Sequence, residues 1–399
     1  MLMNKHPDGE VIVVFNAGSS SIKFAVFDVG TGQLPREPRW SGKVEGITGA
    51  NPTISEDSGA PCQLSLDPGK PYHAAMDHIR QRLRVKLEGR AIRAIAHRVV
   101  HGGVKYHQPV LIDAAVLADL KSYIPLAPLH QPFALDAIET LLLSRPDLPQ
   151  VVCFDTAFHQ TLPDVEKILP LPWTAWENGL RRYGFHGLSY QYQSLALAER
   201  YGALAMGRTL VAHLGSGASL CGMQELRSAV TTMGFSALDG LMMGTRSGAL
   251  DPGAVIYLME IGKLSLEQVS HMLYHESGLL GVSGISADPR VLLECEAAQP
   301  RAAMALALYQ RRFLHEAGAL VAALGGLDML VFTAGIGEHN AEIRRRLCAA
   351  LSYLGIELDD AANRAHAAVI STAASRVKVV IEPTNEEWVC AITAHGLTD

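Results

Sequence analysis

The sequence predicts an α/β chain of two domains, and three observations lead to that class. At 399 residues the chain exceeds what one ordinary core supports, so two domains are expected. Strand-like apolar runs alternate with helical periodicity in both halves, the pattern of α/β proteins. A strand–turn–strand pattern occurs twice, in VVFNAGSSSIKFAVFD at 13–28 and in TLVAHLGSGASLCGM at 209–223. The repeat suggests two related domains, each opening on the same unit.

In chain order, residues 1–9 read as a loose lead-in. Val11–Phe15 and Ile22–Asp28 read as paired strands, with Ile22, Phe24 and Val26 on one face. The stretch from Gly30 to Pro71 is rich in Pro and Gly and reads as irregular. Helical periodicity runs from Ala74 to Leu87, strand character from Ala91 to Val100, and a helix from about Pro132 to Ser144. Val151–Phe154 is a short buried strand ending at Asp155. The Pro- and Trp-containing stretch near 163–180 reads as a crossing between domains.

After the repeated unit, Asp251-Pro252-Gly253 opens a helix, with Asp as N-cap and Pro at the first position. Ser265 to Gln268 carries a capping-box pattern. A long helix spans about Arg301 to Leu324. LDMLVFTAGIGEHN reads as a strand, a Gly turn at Gly335–Gly337 and a helix start. VKVVIEPTNEEWVCAITA reads as a last strand, a turn and a closing helix.

Composition narrows the function. The net charge is −6 with no long basic run, which argues against nucleic-acid or anionic-membrane binding as the main role. Six cysteines lie far apart with no C-x-x-C pair, as in reduced cytoplasmic proteins, and against a disulfide scaffold or zinc site. The N-terminal MLMNKHPDGE lacks the apolar core of a signal peptide. The most apolar stretch, 317–337, is interrupted by Asp328 and by glycines, so no membrane span is expected.

Three turns are rich in backbone and hydroxyl donors: Asn16–Ser21 (with Ser19, and Lys23 just beyond), Gly215–Ser219 (with Ser216 and Gly217) and Gly335–Gly337 (with Ile336). Small residues let N–H groups converge on an anion, so three such turns at strand ends suit phosphate oxygens. Each alone is also ordinary turn chemistry. Neither a P-loop sequence nor G-x-G-x-x-G is present. Arg98 and Arg246 stand where strands or turns end; arginine there is either a solvated loop charge or a partner for carboxylate and phosphate. His130, His186 and His213 adjoin Gly or Pro loops, where any one histidine is more often structural or surface than catalytic. Asp155 and Glu386-Glu387 sit at strand or turn ends, as simple caps or as oxygen ligands of a magnesium–nucleotide complex. Paired carboxylates of glycosidase type leave the phosphate-type turns unexplained.

Taken together and in order, NAGSSSIKFAVFD, HRVVHGG, FDTAFHQTLP, YGFHGLSY, HLGSGASL, MGTRSG, AGIGE and PTNEE resemble the acetate kinase family over nearly the whole chain. The resemblance implies two ribonuclease-H-like domains facing across a nucleotide cleft. The first would be discontinuous, 1–156 with 385–399, and the second would be 157–384. It implies reversible transfer of the ATP γ-phosphoryl to acetate, with Mg²⁺ (Mn²⁺ as an alternative), in a cytoplasmic homodimer. By motif, Arg98 and Arg246 would hold the carboxylate and the transferring phosphoryl, and Asp155 would orient the reactants or metal. His186 would stabilise the equatorial oxygens, with His130 and His213 along the phosphate path. Glu386 and Asn16 would serve Mg²⁺. Asn16, Ser19, Ser21, Lys23, Gly215, Ser216, Gly217, Gly335, Ile336 and Gly337 would line the nucleotide, with Asp288 and Arg290 near its adenosine end. Val100, Leu129, Phe185 and Ala237 would form the acyl pocket.

Three positions depart from the family pattern: Ser216 where Asn is usual, Ala249 where Asp is usual, and Ala237 where Pro is usual. The first two bear on rate and the third on substrate breadth. A propionate- or butyrate-preferring kinase is therefore an alternative, and a nucleotide-dependent scaffold is an alternative of another class. The anion-binding pair Arg98 and Arg246 favours chemistry over scaffolding.

Overall fold

The computed structural model describes residues 9–18, 20–30, 32–57, 59–128 and 131–399. Its chain divides into two units: the described part of Met1–Ala157 with Asn385–Asp399, and Phe158–Thr384. The 163–180 stretch, expected as a crossing, lies inside the second unit and carries the short helices Asp164–Lys167 and Trp173–Glu177.

The first unit is built on β1 (Glu10–Ala17) and β2 (Ser21–Val29), which pair antiparallel from Glu10↔Val29 to Ala17↔Ile22. The Gly30–Pro71 stretch is more ordered than its composition suggests. It contributes β3 (Trp40–Glu45), β4 (Thr53–Glu56) and β5 (Cys62–Gln63), each antiparallel to the one before. β6 (Ala91–Val99) and β8 (Gln150–Phe154) extend the other side in parallel, and β7 (Val110–Leu111) closes that edge antiparallel. The order is β5-β4-β3-β2-β1-β6-β8-β7.

Both faces of this sheet are covered, which is why β1 reads as a nearly unbroken apolar run. Val11, Val13 and Phe15 join Ile22, Phe24 and Val26 over Ala75, Ile79 and Leu83 of the helix Pro71–Lys86. The other face carries the C-terminal helix Glu386–Thr398, packed on β1, β6 and β8 through buried Val389, Cys390 and Ala394.

The second unit holds β9 (Thr209–Leu214), β10 (Ala218–Gln224), β11 (Arg227–Thr231), β12 (Met329–Thr333) and β13 (Lys378–Ile381), in the order β11-β10-β9-β12-β13. β9, β10 and β11 pair antiparallel, and β12 and β13 continue parallel to β9. Strand for strand, this matches β3-β2-β1-β6-β8 of the first unit. The repeated sequence pattern is therefore the opening hairpin of each sheet. Helix Gly187–Tyr201 packs on one face through Tyr190 and Leu197, and the long helix Pro300–Leu324 packs on β9, β10 and β11. The helix starts read from sequence are present: Asp251 caps Pro252–Glu260, and Ser265 with Gln268 forms a capping box on Leu266–His275.

Candidate active site

In an open parallel sheet, ligands meet the chain at the carboxyl ends of the strands, and in the first unit the registers gather polar residues there. Asn16 lies opposite Lys23 on one side and Arg98 on the other. Arg98 lies opposite Cys153, and Asp155 follows β8, its amide donating to the Val99 carbonyl at 3.2 Å. Arg98 donates through Nε and Nη2 to the two Asp155 carboxylate oxygens at 2.9 and 2.6 Å, and through Nη1 to Glu386 at 2.9 Å. Asp155 is almost fully buried, with 3% of its side chain exposed, against 18% for Arg98 and 12% for Glu386. Burial opposes the charge on Arg98, but Asp155, Glu386 and Glu387 outweigh it and hold the guanidinium pKa above its ordinary value.

Around this cluster, Gly18 N–H donates to the Ser21 carbonyl at 2.8 Å and closes the turn between β1 and β2. Lys23 is exposed and Val100, just after β6, is partly buried. Ser19, Leu129 and His130 lie outside the described residues. Sequence reasoning missed the supports of the HRVVHGG loop. Buried Gln131 donates to the His101 carbonyl at 2.9 Å and accepts from the His101 amide at 3.2 Å, while Thr156 Oγ1 accepts from the Gly102 amide.

The second unit gathers another set. His186 is the N-cap of Gly187–Tyr201 in the left-handed region, at φ 58°, a conformation that costs a non-glycine residue about 1 kcal/mol. Its ring is fixed twice, by a 2.8 Å contact of Nδ1 with Ser219 Oγ and by stacking on His213 at 4.2 Å and 16°. A Cβ placed on Gly217 would lie 3.2 Å from His186 Nε2 and 3.4 Å from Arg246 Nη2. A side chain at 217 would press on both groups, which would have to give by a few tenths of an ångström. On Gly215 the same atom would lie 3.6 Å from Ala334 Cβ and 3.9 Å from His213 Nε2. Arg246 Nη1 donates to the Ala237 carbonyl at 2.9 Å, and burial draws the Arg246 pKa down.

The structure thus brings together His186, His213, Gly215, Gly217 and Arg246, with Ser216 exposed at the turn's tip. Phe185 is buried, and His159 Nε2 lies 3.0 Å from its carbonyl. Asp288 and Arg290 are engaged with each other: Asp288 caps Pro289–Cys295 and accepts from the Arg290 guanidinium at 2.6 Å. At two of the departures, the contacts made are main-chain ones. The Ala237 carbonyl serves Arg246, and the Ala249 carbonyl accepts from the Arg312 guanidinium.

Gly335–Gly337 is corrected by the structure. It is no turn but the body of the helix Ala334–His339, which follows β12 directly. The reversal falls one residue earlier, on Ala334 at φ 64°. Glu338 makes it possible by accepting the Ala334 amide at 2.8 Å and the Thr384 amide at 3.2 Å on one carboxylate oxygen. Fully buried Arg344 holds the other end, donating to the Gly337 and Glu338 carbonyls at 2.8 Å and to Asn363. Its burial lowers its pKa to about 10.

Comparison with known proteins shows the family of the whole chain. The profile of the Acetokinase family matches residues 11–392. An acetate kinase of Rhodopseudomonas palustris is 46% identical over 396 residues, covering 98% of this chain and 99% of the relative. A crystal structure of Porphyromonas gingivalis acetate kinase aligns at TM-score 0.86 and 34% identity, over 98% of this chain and 100% of that one. A propionate kinase from Francisella tularensis aligns at TM-score 0.89 and 34% identity, over 97% and 99%. The chain belongs to the Acetokinase family.

Proposed function

We propose that the chain transfers the γ-phosphoryl group of ATP to the carboxylate of acetate, reversibly, by direct in-line attack. The observation that carries this reading is the convergence of Arg246 and His186 on the glycine at position 217, at 3.4 and 3.2 Å from where a side chain would begin. A cationic fork and an imidazole held against a bare backbone turn suit the equatorial oxygens of a transferring phosphoryl group.

A carboxylate is already a nucleophile and needs no general base. Catalysis is then positioning and charge neutralisation. Arg98, with Arg246, binds the acid and the phosphoryl group. Asp155 holds Arg98 in a two-point fork, so the guanidinium is aimed before substrate arrives. His186 and Arg246 neutralise charge on the phosphoryl oxygens, with His130 and His213 along the phosphate path. Gly215, Ser216, Gly217 and Gly335–Gly337 lie against the nucleotide, and Asp288 and Arg290 lie near its adenosine end. Val100, Leu129, Phe185 and Ala237 surround the acyl group.

No group of three or more His, Cys, Asp or Glu side chains suited to a metal occurs among the described residues. The oxygen donors Glu386 and Asn16 still fit Mg²⁺, which takes few protein ligands and completes its shell with phosphate and water. Bound with ATP, the ion supplies charge neutralisation at the phosphates. The reading also includes a cytoplasmic homodimer. Exposed Leu250, Ile256, Tyr257, Ile261, Leu266 and Met304 of the second unit support a covered apolar face there.

Acetate-dependent consumption of ATP, with the acyl phosphate trapped as hydroxamate, tests the reading. One observation favours a second reading as a propionate-accepting kinase: Ala237 offers a methyl group where the family pattern has a proline ring. A methylene in an apolar pocket is worth about 1–3 kcal/mol of discrimination. Propionate should react at a rate near that of acetate, and Ala237→Pro should restore the preference for acetate. A sharp preference for acetate that Ala237→Pro leaves unaltered contradicts the wider pocket.

A further inference from the structure

The two stacked imidazoles are each met at Nδ1 by a buried serine: His186 by Ser219 at 2.8 Å and His213 by Ser189 at 2.9 Å. Ser219 Oγ is also in close contact with the hydroxyl of Tyr190. Ser189, Ser219 and Tyr190 are all fully excluded from solvent. Their hydroxyl protons must therefore find acceptors within the protein, and the acceptors can be counted.

Among the described residues, Ser219 Oγ is the hydrogen-bond partner of the Tyr190 hydroxyl, and Ser219 Oγ itself touches only Tyr190 and His186 Nδ1. Suppose His186 carried its proton on Nδ1 and donated to Ser219. Then either the serine or the tyrosine proton would be left without an acceptor, depending on which of the two donated to the other. Suppose instead that Tyr190 donates to Ser219 and Ser219 donates to Nδ1. Every proton is then accepted, and His186 carries its own on Nε2. An imidazolium fails as the Nδ1–H form does. A buried donor left unsatisfied costs about 1–3 kcal/mol, enough to decide between tautomers that are otherwise close in energy. The same count at Ser189, whose hydroxyl meets His213 Nδ1 among the described residues, gives the same answer.

We propose that Ser219, oriented by Tyr190, and Ser189 are positioning residues that lock His186 and His213 as neutral imidazoles bearing the proton on Nε2. Both rings then present an N–H donor at the 215–217 turn, His186 Nε2 lying 3.2 Å from where a Gly217 side chain would begin and His213 Nε2 3.9 Å from the same point on Gly215. Neutral rings also stack at 4.2 Å without the repulsion that two imidazolium ions would feel. Burial pushes the Tyr190 phenol well above its usual pKa, so it remains a donor. The catalytic consequence rests on the phosphoryl-ligand role proposed above for His186. The tautomer does not.

The test is a long-range ¹H–¹⁵N correlation spectrum of the intact protein labelled in histidine, with the two rings assigned by His186→Gln and His213→Gln. Both rings should show the Nε2–H pattern. Tyr190→Phe/Ser219→Ala removes both hydroxyls at once, so no orphan remains. It should convert His186 to a mixture of tautomers, leave His213 alone and lower turnover by about tenfold with little change in KM. Ser189→Ala should do the converse to the spectrum. An Nδ1–H pattern for either ring in the unaltered protein, or an unchanged His186 signal in the double variant, overturns the inference. If the Nε2–H patterns appear but His186→Gln keeps full turnover, the inference stands and the catalytic role of His186 falls.

Discussion

Arg98 and Asp155 meet fork to fork, Nε to Oδ1 at 2.9 Å and Nη2 to Oδ2 at 2.6 Å, with the carboxylate buried behind the guanidinium. Arg98 is thus the counter-ion of a buried acid, and in the proposed function it is also a ligand for the substrate anion. Arg98→Ala should therefore cut turnover by about 10²-fold or more and also destabilise the fold by about 3 kcal/mol, because buried Asp155 loses its two-point counter-ion. Arg98→Ala/Asp155→Asn should recover much of the stability and none of the turnover. Denaturant midpoints read beside kcat separate the two effects. Turnover recovered along with stability would make the pair purely structural.

Glu386 shares Arg98 with Asp155 but sits at the start of the C-terminal helix, where an oxygen can also face a cation. Glu386→Gln should weaken the apparent affinity for Mg²⁺ by about tenfold, because hard cations depend on carboxylate charge. It should leave the KM for acetate nearly unchanged, and Glu387→Gln should matter less. A magnesium titration shifted by Asp155→Asn and untouched by Glu386→Gln would reverse the two assignments.

Glu338 acts through its acceptor oxygen, which holds the amides of Ala334 and Thr384. Glu338→Ala should raise the KM for ATP about tenfold and cost about 2 kcal/mol through two stranded amides. Glu338→Gln keeps an acceptor there and should restore both. Equal damage from Gln and Ala would mean that the negative charge, not the acceptor, is what the chain uses.

Acid should loosen both units before the carboxylates titrate. Burial holds His97, in contact with Gln150, and His159, set between Ser228 and Phe185, at about 4, below the ordinary 6.5. The unfolded chain binds protons to these rings first. Their contribution to stability is therefore complete above about 6.5 and is lost as the pH falls towards 4. The melting temperature should drop across that window, and His159→Gln should flatten the slope. A melting temperature constant from pH 7 to 4.5 would contradict this.

The sequence carried the hairpins well, because β1, β2, β9 and β10 have dense apolar patterns and polar glycine turns between them. It hid β3, β4 and β5, which are short. In these, pairing of each strand with the one before it, from β2 outward, rather than composition makes the strand, and only Trp40, Val44 and Ile54 are buried. Gly335–Gly337 read as a turn because glycine disfavours helix interiors. The Glu338 oxygen that accepts the Ala334 N–H also accepts the amide of Thr384, a tertiary partner that no local pattern announces. The clustering of Arg98, Asp155 and Glu386 follows from strand register and from the packing of the last helix, across 288 positions in the case of Arg98 and Glu386. Motifs named these residues, but no local pattern joined them. Tyr190 and His159 gave no signal of their own and Ser219 read only as a turn donor, since a buried hydroxyl or imidazole shows its role only beside its partner.

The most direct test of the central claim is to mix the purified protein with ATP, Mg²⁺ and acetate in hydroxylamine and to measure hydroxamate and ADP together. Phosphoryl transfer to the carboxylate predicts the two products in equal amounts, both dependent on acetate and both abolished in Arg246→Ala. ADP released without hydroxamate, at a rate indifferent to acetate, would contradict it and leave a nucleotide-hydrolysing scaffold in its place.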